Sequence, residues 1–302
     1  MVIFKKGARS MYNLSDVNVI RRLLTDAGFS FKKSLGQNFL IDSSVCPEMA
    51  MAAAETQNDF ALEIGPGVGV LTAELSKEFE KVVTVELDER LRPVLAKTLK
   101  DADNVEVVWG DAMKLPLGEI IKQKSPSGTA SVCANLPYYI TSPIIMMLLE
   151  SGLPIRDITV MVQKEAAERI CAKIGTRAAG VLTVSVGYYA EPEILFEVPR
   201  TSFMPSPDVD SAVIKLKIRK EPPVKVANEK QFFSFVKAAF GQRRKTLQNS
   251  LSSLGGYSKS DISEALEKSG LRWDVRAEAL EFQELATLFN ELYKIKSERS
   301  GK

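Results

Sequence analysis

Asn135-Leu136-Pro137-Tyr138 puts a side-chain amide, a peptide carbonyl backed by a proline and an aromatic ring in four consecutive positions. Such a group suits the exocyclic amine of a flat base. The lone pair of an adenine N6 amine is delocalised into the ring, so the amine is a poor nucleophile. Two acceptors gripping its N–H bonds, the Asn135 side-chain oxygen and the Leu136 carbonyl, would orient it and favour a tetrahedral nitrogen. Pro137 restricts the local backbone, and Tyr138 offers a face on which a base stacks, worth about 1–3 kcal/mol. No strong base is required. A nitrogen that has attacked a sulfonium methyl is cationic and sheds its proton readily, and alignment alone can supply roughly 7–11 kcal/mol. This scheme suits a chain without histidine, in which triads, metal ligands and general bases made from imidazole are excluded. A plain Pro-aromatic turn, with Asn as a turn former, is the structural alternative.

Upstream lies Glu63-Ile64-Gly65-Pro66-Gly67-Val68-Gly69. Glycines between a strand and a helix permit positive φ and close approach of the backbone to a nucleoside. The Gly-x-Gly-x-Gly spacing differs from the Gly-x-Gly-x-x-Gly of dinucleotide binders. Glu86 ends the next strand, where a carboxylate can accept from both ribose hydroxyls. Asp111 follows the third strand and could accept from an adenine amino group, or simply cap the following turn. All three elements fall at the carboxyl ends of successive strands, where open α/β sheets bind ligands.

These residues need a sheet to hold them. Apolar runs at Phe60–Ile64, Lys81–Glu86, Val105–Val108, Ser131–Ala134 and Asp157–Gln163 read as strands. Helical patterns at 70–77, 90–99, 143–151 and 164–172 alternate with them. That rhythm predicts a parallel sheet covered by helices on both faces. A short basic helix is expected over Val17–Ala27, capped by Ser15 or Asp16, and another from Ser43 to Ala54. Residues 181–189 fit strand or helix equally. Glu193–Val198 and Ala212–Ile218 read as strands that give the sheet an antiparallel edge. Lys220-Glu221-Pro222-Pro223 reads as a linker. Four amphipathic helices follow, over 230–240, 245–254, 260–269 and 277–296.

The chain of 302 residues, 45% hydrophobic and 26% charged, has the bulk properties of an ordinary globular protein of two domains. No apolar run is long enough for a membrane span, and the N-terminus lacks a secretory pattern. Cys46, Cys133 and Cys171 are odd in number and widely spaced. They predict reduced thiols in a cytoplasmic setting, with neither a disulfide framework nor a metal site. The net charge of +2 identifies no partner; its distribution is more telling. From Lys230 to Lys259 the chain carries Lys230, Lys237, Arg243, Arg244, Lys245 and Lys259 with no acidic residue between them. Arg243-Arg244-Lys245 is the densest part, a candidate phosphate-binding patch. Lys32 and Lys33, with Arg21 and Arg22, form a second candidate. Phe232, Phe233, Phe235 and Phe240 read as core rather than as stacking platforms.

The chain resembles the ribosomal RNA adenine-N6,N6-dimethyltransferases, and within them the bacterial type that acts on small-subunit (16S) ribosomal RNA. The resemblance rests on Asn135-Leu136-Pro137-Tyr138, Glu63-Ile64-Gly65-Pro66-Gly67 and Lys33-Ser34-Leu35-Gly36-Gln37-Asn38-Phe39-Leu40. It extends to the stretches Ser202–Ser211 and Phe240–Leu247, and so covers nearly the whole chain. It implies a Rossmann-like class I S-adenosylmethionine-dependent methyltransferase sheet with helices on both faces, plus a small all-α C-terminal domain. Residues 1–220 would form the catalytic domain and 221–302 the RNA- or ribosome-binding one. S-adenosylmethionine contacts are implied for Asn38, Leu40, Gly65, Gly67, Glu86, Asp111 and Asn135, and handling of the target base for Asn135, Leu136, Pro137 and Tyr138. Phe203 is implied for the other face of the base, with core packing as its alternative. The expected partner is 16S RNA in the small (30S) subunit or its precursor, met by a monomer without membrane attachment. The expected product is dimethyladenosine at two adjacent positions near the 3′ end. Rival readings are an adenine-N6 methyltransferase of 23S RNA or of DNA, a non-catalytic RNA-binding assembly factor of the same fold, and, more distantly, a dehydrogenase.

Overall fold

The computed structural model describes residues 12–28, 39–54 and 58–300. They divide into two compact units. The first runs to Ala167 and resumes over Glu191–Ile218; the second comprises Glu168–Ala190 and Arg219 onward.

In the first unit, α1 (Val17–Asp26) starts at Asp16, whose carboxylate accepts from the Asn18 amide. It turns Ile20, Leu23 and Leu24 inward and ends before Gly28 at φ +64. Then come β1 (Phe39–Leu40), α2 (Val45–Ala54), β2 (Phe60–Ile64), α3 (Val70–Glu78), β3 (Lys81–Glu86), α4 (Arg92–Thr98), β4 (Val105–Trp109), α5 (Leu117–Lys124), β5 (Ala130–Asn135), α6 (Thr141–Glu150), β6 (Ile155–Gln163) and α7 (Lys164–Ile170). After α8 (Val181–Tyr189), the strands β7 (Ala190–Val198), β8 (Phe203–Met204) and β9 (Ser211–Ile218) return to this unit.

Seven strands form one sheet in the order β4-β3-β2-β5-β6-β9-β7. From β4 to β6 all pairings are parallel. β9 lies antiparallel to β6, from Asp157 opposite Lys217 to Gln163 opposite Ser211. Every residue of β2 is buried, as expected of a strand covered on both faces. One apolar layer gathers Met49, Ala50, Leu75, Val82 and Cys133. Another gathers Ile20, Leu91, Val94 and Leu95. The chain leaves β2 outward through β3 and β4, then crosses back to place β5 on the other side of β2. The sheet therefore has a topological switch point between β2 and β5, where ligands of open α/β sheets bind.

A second, two-stranded pairing was not visible in the sequence: β1 lies antiparallel to β8, with Phe39 opposite Met204 and Leu40 opposite Phe203. The Ile41 amide extends it to the Ser202 carbonyl at 2.8 Å, and the Ser202 hydroxyl donates to Asp42 at 3.0 Å.

The second unit is helical: α8, α9 (Glu229–Phe240), α10 (Leu247–Leu251), α11 (Lys259–Lys268) and α12 (Phe282–Ser300). Its core holds Phe232, Phe235, Leu247, Leu285 and Phe289, with Phe232 and Phe289 edge-on at 5.4 Å. The residues 181–189, ambiguous by period, are helical because Val184 and Tyr188 pack into this core, where the Tyr188 ring meets Phe233 edge-on at 5.2 Å. The chain enters this unit for the last time at Arg219, and α8 groups with the C-terminal helices. Two helices are shorter than their patterns predict. Thr246 caps α10 by accepting from the Asn249 amide, which leaves Lys245 in a turn. The stretch from Ala277 opens as a 3-10 turn to Ala279, and Leu280 is extended before α12 begins.

Candidate functional site

The carboxyl ends of β2 and β5 meet at the switch point. Glu63 faces Cys133 across the two strands; two residues further on, each strand delivers its loop. From β2 comes the glycine turn. Gly65 has φ +75 and Gly69, the N-cap of α3, has φ +90, conformations that cost a residue with a side chain about 1–2 kcal/mol. Their surroundings differ. A Cβ on Gly65 would meet nothing within 4 Å, whereas one on Gly69 would lie 3.1 Å from Leu99 Cδ2 and 3.2 Å from Thr98 Oγ1. Gly69 therefore serves close packing of α3 on α4, and Gly65 leaves open space in front of the backbone.

Glu86, at the end of β3, is 6% exposed. Burial pushes its pKa above the ordinary carboxylate value. The amides of Asp88, at 2.7 Å, and Gly67, at 3.4 Å, donate to it and work against that shift. Beyond β4, Gly110 donates to the Glu86 carbonyl at 2.8 Å. Asp111 follows, and its carboxylate caps the next turn through the Met113 amide at 3.0 Å. Both carboxylates line one cavity. At its mouth stand three exposed apolar side chains, Leu87, Met113 and Tyr139. Carboxylate acceptors within an apolar rim suit a nucleoside: ring faces against carbon, hydroxyl and amino hydrogens against oxygen.

β5 supplies Asn135-Leu136-Pro137-Tyr138 to the same cavity. The Leu136 side chain is buried and anchors the turn. The Pro137 carbonyl accepts from the Ile140 amide at 3.1 Å and the Thr141 hydroxyl at 3.2 Å, which fixes the start of α6. The Tyr138 hydroxyl lies 2.7 Å from the Ser211 hydroxyl, and burial raises its pKa. The Asn135 side-chain amide makes no hydrogen bond among the described residues, so its oxygen is available as an acceptor.

Leu40 and Phe203, paired across β1 and β8, complete a wall. Phe203 is only 3% exposed and packs with Val45, Cys46 and Leu71; it belongs to the core and borders the cavity at once. The cavity thus brings together Leu40, Gly65, Gly67, Glu86, Asp111, Asn135, Leu136, Pro137, Tyr138 and Phe203. Asn38, Lys32 and Lys33 lie outside the described residues. Arg243, Arg244 and Lys245 are in the helical unit, exposed in the turn between α9 and α10. The Arg243 guanidinium donates to the Arg177 carbonyl at 2.7 Å.

Two features have no counterpart in the sequence pattern. Ser211 reveals itself as the partner of Tyr138 only through the antiparallel β6–β9 register. Glu63 is wholly buried, accepts from the Thr72 hydroxyl at 2.6 Å, and is pushed up by burial to about 7. Its place in the glycine motif was visible, but its burial was not.

A nucleoside cofactor fits this site: there is open space before Gly65, a buried carboxylate at Glu86, and an apolar rim.

A family model described as ribosomal RNA adenine dimethylase matches residues 28–294. The chain is 46% identical over 280 residues to the ribosomal RNA small subunit methyltransferase A of Clostridioides difficile (strain 630), covering 93% of this chain and 97% of the relative. It is 48% identical over 276 residues to the protein of that name from Geobacillus thermodenitrificans (strain NG80-2), covering 90% and 94%. Among solved structures, it is similar to a dimethyladenosine transferase from Plasmodium falciparum, with a TM-score of 0.68 and 27% identity over 83% of this chain and 96% of that one. It is also similar to the 23S rRNA methyltransferase ErmE, with a TM-score of 0.65 and 29% identity over 85% and 100%.

Proposed function

Because the chain belongs to the ribosomal RNA adenine dimethylase family, we propose that it transfers methyl groups from S-adenosylmethionine to the N6 amines of two adjacent adenosines near the 3′ end of 16S ribosomal RNA, as part of small-subunit biogenesis. The observation that carries this reading is the meeting of the Asn135–Tyr138 turn with the glycine loop and Glu86 in one cavity. The 46% and 48% identities to proteins named as small-subunit methyltransferases, over 93% and 90% of this chain, support the small-subunit substrate.

S-adenosylmethionine, when bound, supplies a methyl group on an electrophilic sulfonium. The rest falls to the protein. Glu86 would accept from the ribose hydroxyls and Asp111 from the adenine amino group, and the backbone at Gly65 and Gly67, with Leu40, would help hold the cofactor. Asn38 is assigned to the same role by the family pattern. The Asn135 oxygen and Leu136 carbonyl accept the two N–H bonds of the target amine and turn its lone pair toward the methyl. Pro137 keeps that carbonyl in place. Tyr138 holds one face of the base by stacking, and Phe203 closes the wall near the other. The amine proton leaves after transfer, so no residue of the chain need act as a strong base.

The helical unit, with Arg243, Arg244 and Lys245, engages the RNA of the 30S subunit or its precursor; Lys32 and Lys33 add to that contact. The enzyme acts as a monomer in the cytoplasm. No helix among the described residues is long and apolar enough to cross a membrane.

The test is transfer of labelled methyl groups to immature small subunits, with the modified nucleotides mapped. The wild-type chain labels two adjacent adenosines. Asn135→Ala lowers the rate about 100-fold or more, the scale for losing one oriented polar partner of a reacting group. Label persisting at the wild-type rate in Asn135→Ala would overturn the catalytic assignment.

A further inference from the structure

Trp273 is 74% exposed. A lone surface aromatic is ordinary, but the setting of this one is not. It occupies the turn between α11 and the 3-10 segment at Ala277. The Leu247 amide donates to the Val275 carbonyl at 2.7 Å, which fastens this turn to the one that carries Arg243, Arg244 and Lys245. Trp273 and Lys245 each stand two residues from that bond, within roughly 7 Å of chain on either side. Arg276, also exposed, follows on the same turn. Among the described residues, Arg244, Lys245 and Arg276 form no ion pair.

The indole is also held out on a stiffened support. Arg272 and Asp274, its two neighbours, clasp each other through Nε–Oδ1 at 2.9 Å and Nη2–Oδ2 at 2.7 Å. The Arg272 carbonyl accepts from the Val275 amide at 3.2 Å. An aromatic face on a fixed turn, bordered by unpaired cations, has the make-up of a platform for single-stranded nucleic acid: stacking for the base, charge for the phosphates. A protein-docking hot spot would instead sit in an apolar surround.

We propose that Trp273 is a base-stacking platform, on which an unpaired base of the RNA lies while its flanking phosphates contact Arg244, Lys245 and Arg276. The inference rests on the chain being an RNA methyltransferase, and it assigns that activity an anchoring point in the helical unit.

The full chain is titrated with a short single-stranded RNA and with an abasic ribose-phosphate strand of the same length. Trp273→Ala should weaken binding of the base-bearing RNA about tenfold, within the range for loss of one stacked base, and leave the abasic strand unaffected. Trp273→Phe should keep most of the affinity. The chain has two tryptophans, and the other, Trp109, is covered by the Arg92 guanidinium at 4.4 Å. RNA should therefore quench indole fluorescence in Trp109→Phe and not in Trp273→Phe. Equal affinity of Trp273→Ala and wild type for the base-bearing strand, or no quenching in Trp109→Phe, overturns the proposal. So does a Trp273-dependent preference for anionic phosphatidylglycerol vesicles over RNA. Methyl transfer to immature small subunits by the wild-type chain is measured alongside. Its absence would refute the enzymatic reading, whereas transfer with unaltered RNA binding by Trp273→Ala would refute only the platform.

Discussion

The hydroxyls of Tyr138 and Ser211 lie 2.7 Å apart, joining the turn after β5 to the first residue of the antiparallel strand β9. The bond fixes the far end of the Tyr138 side chain, which lines the cavity. Ser211→Ala frees the ring at a stability cost of about 1 kcal/mol. It should lower kcat several-fold while leaving cofactor affinity unchanged. Tyr138→Phe should have the same effect, and the double variant should be no worse than either single one. Additive losses in that cycle would show that the two hydroxyls act independently.

Glu86 offers its carboxylate to two ribose hydroxyls. Hydrogen bonds to a charged acceptor are worth about 1.5–3 kcal/mol each, so Glu86→Ala should raise the cofactor Kd about 100-fold or more in calorimetric titration, with RNA affinity unchanged. A Kd close to wild type would remove Glu86 from the cofactor site.

Gly65 and Gly69 share positive φ but not surroundings. Gly65→Ala should cost about 1–2 kcal/mol from backbone strain and weaken the cofactor sharply, because its methyl enters open space before the backbone. Gly69→Ala adds overpacking against Leu99 and Thr98, about 1–3 kcal/mol more. Thermal melts should rank Gly69→Ala as the less stable variant, and cofactor titration should single out Gly65→Ala beyond its stability loss. The reverse ranking would mean the two glycines have exchanged roles.

Glu63 titrates near 7 in the folded chain, above its ordinary value of 4.5, because burial opposes its ionised form. The sign follows: the neutral group's contribution is complete below about 4.5 and is lost as pH rises through about 7, on the order of 3 kcal/mol across the window. Glu63→Gln keeps an acceptor for Thr72 and removes the titration. Between about pH 5 and pH 8 the wild-type Tm should fall relative to that of Glu63→Gln; parallel curves would refute the assignment.

Arg243, Arg244 and Lys245 should act through phosphates. Replacing all three by Ala should weaken RNA binding and flatten its dependence on salt by about 0.7 in log–log slope for each phosphate no longer neutralised. Cofactor affinity should not change. An unaltered slope would count against the patch.

Much of this frame was legible in the residues. Phe60–Ile64 and Lys81–Glu86 have the predicted bounds, since glycine and charged residues punctuate short apolar runs. The glycine loop, Glu86, Asp111 and the Asn135 turn fall at strand ends, and strand ends in such a sheet face one crevice. Residues 181–189 were undecidable because Val181–Tyr189 is apolar all round; packing against Phe232 and Phe233 settles it as helix. Helix α5 was missed although Leu117, Ile120 and Ile121 stand at i, i+3 and i+4, because it is only eight residues long and no side-chain cap marks its start. The Tyr138–Ser211 bond and the β1–β8 pairing were hidden for a different reason: they join residues remote in sequence, and nothing local announces them.

Ser202 and Asp42, hydrogen-bonded beside that short pairing, are 160 positions apart. A ribosome making this chain therefore releases the glycine loop, Glu86 and Asn135 long before Phe203 arrives to stand beside Leu40. The nascent protein carries most of its reactive groups early but gains the enclosing wall late, when a distant stretch closes back on the beginning at the entropic expense of a long loop. Chains cut short before Phe203 would lack that wall, and with it the strand that carries Ser211, the partner of Tyr138.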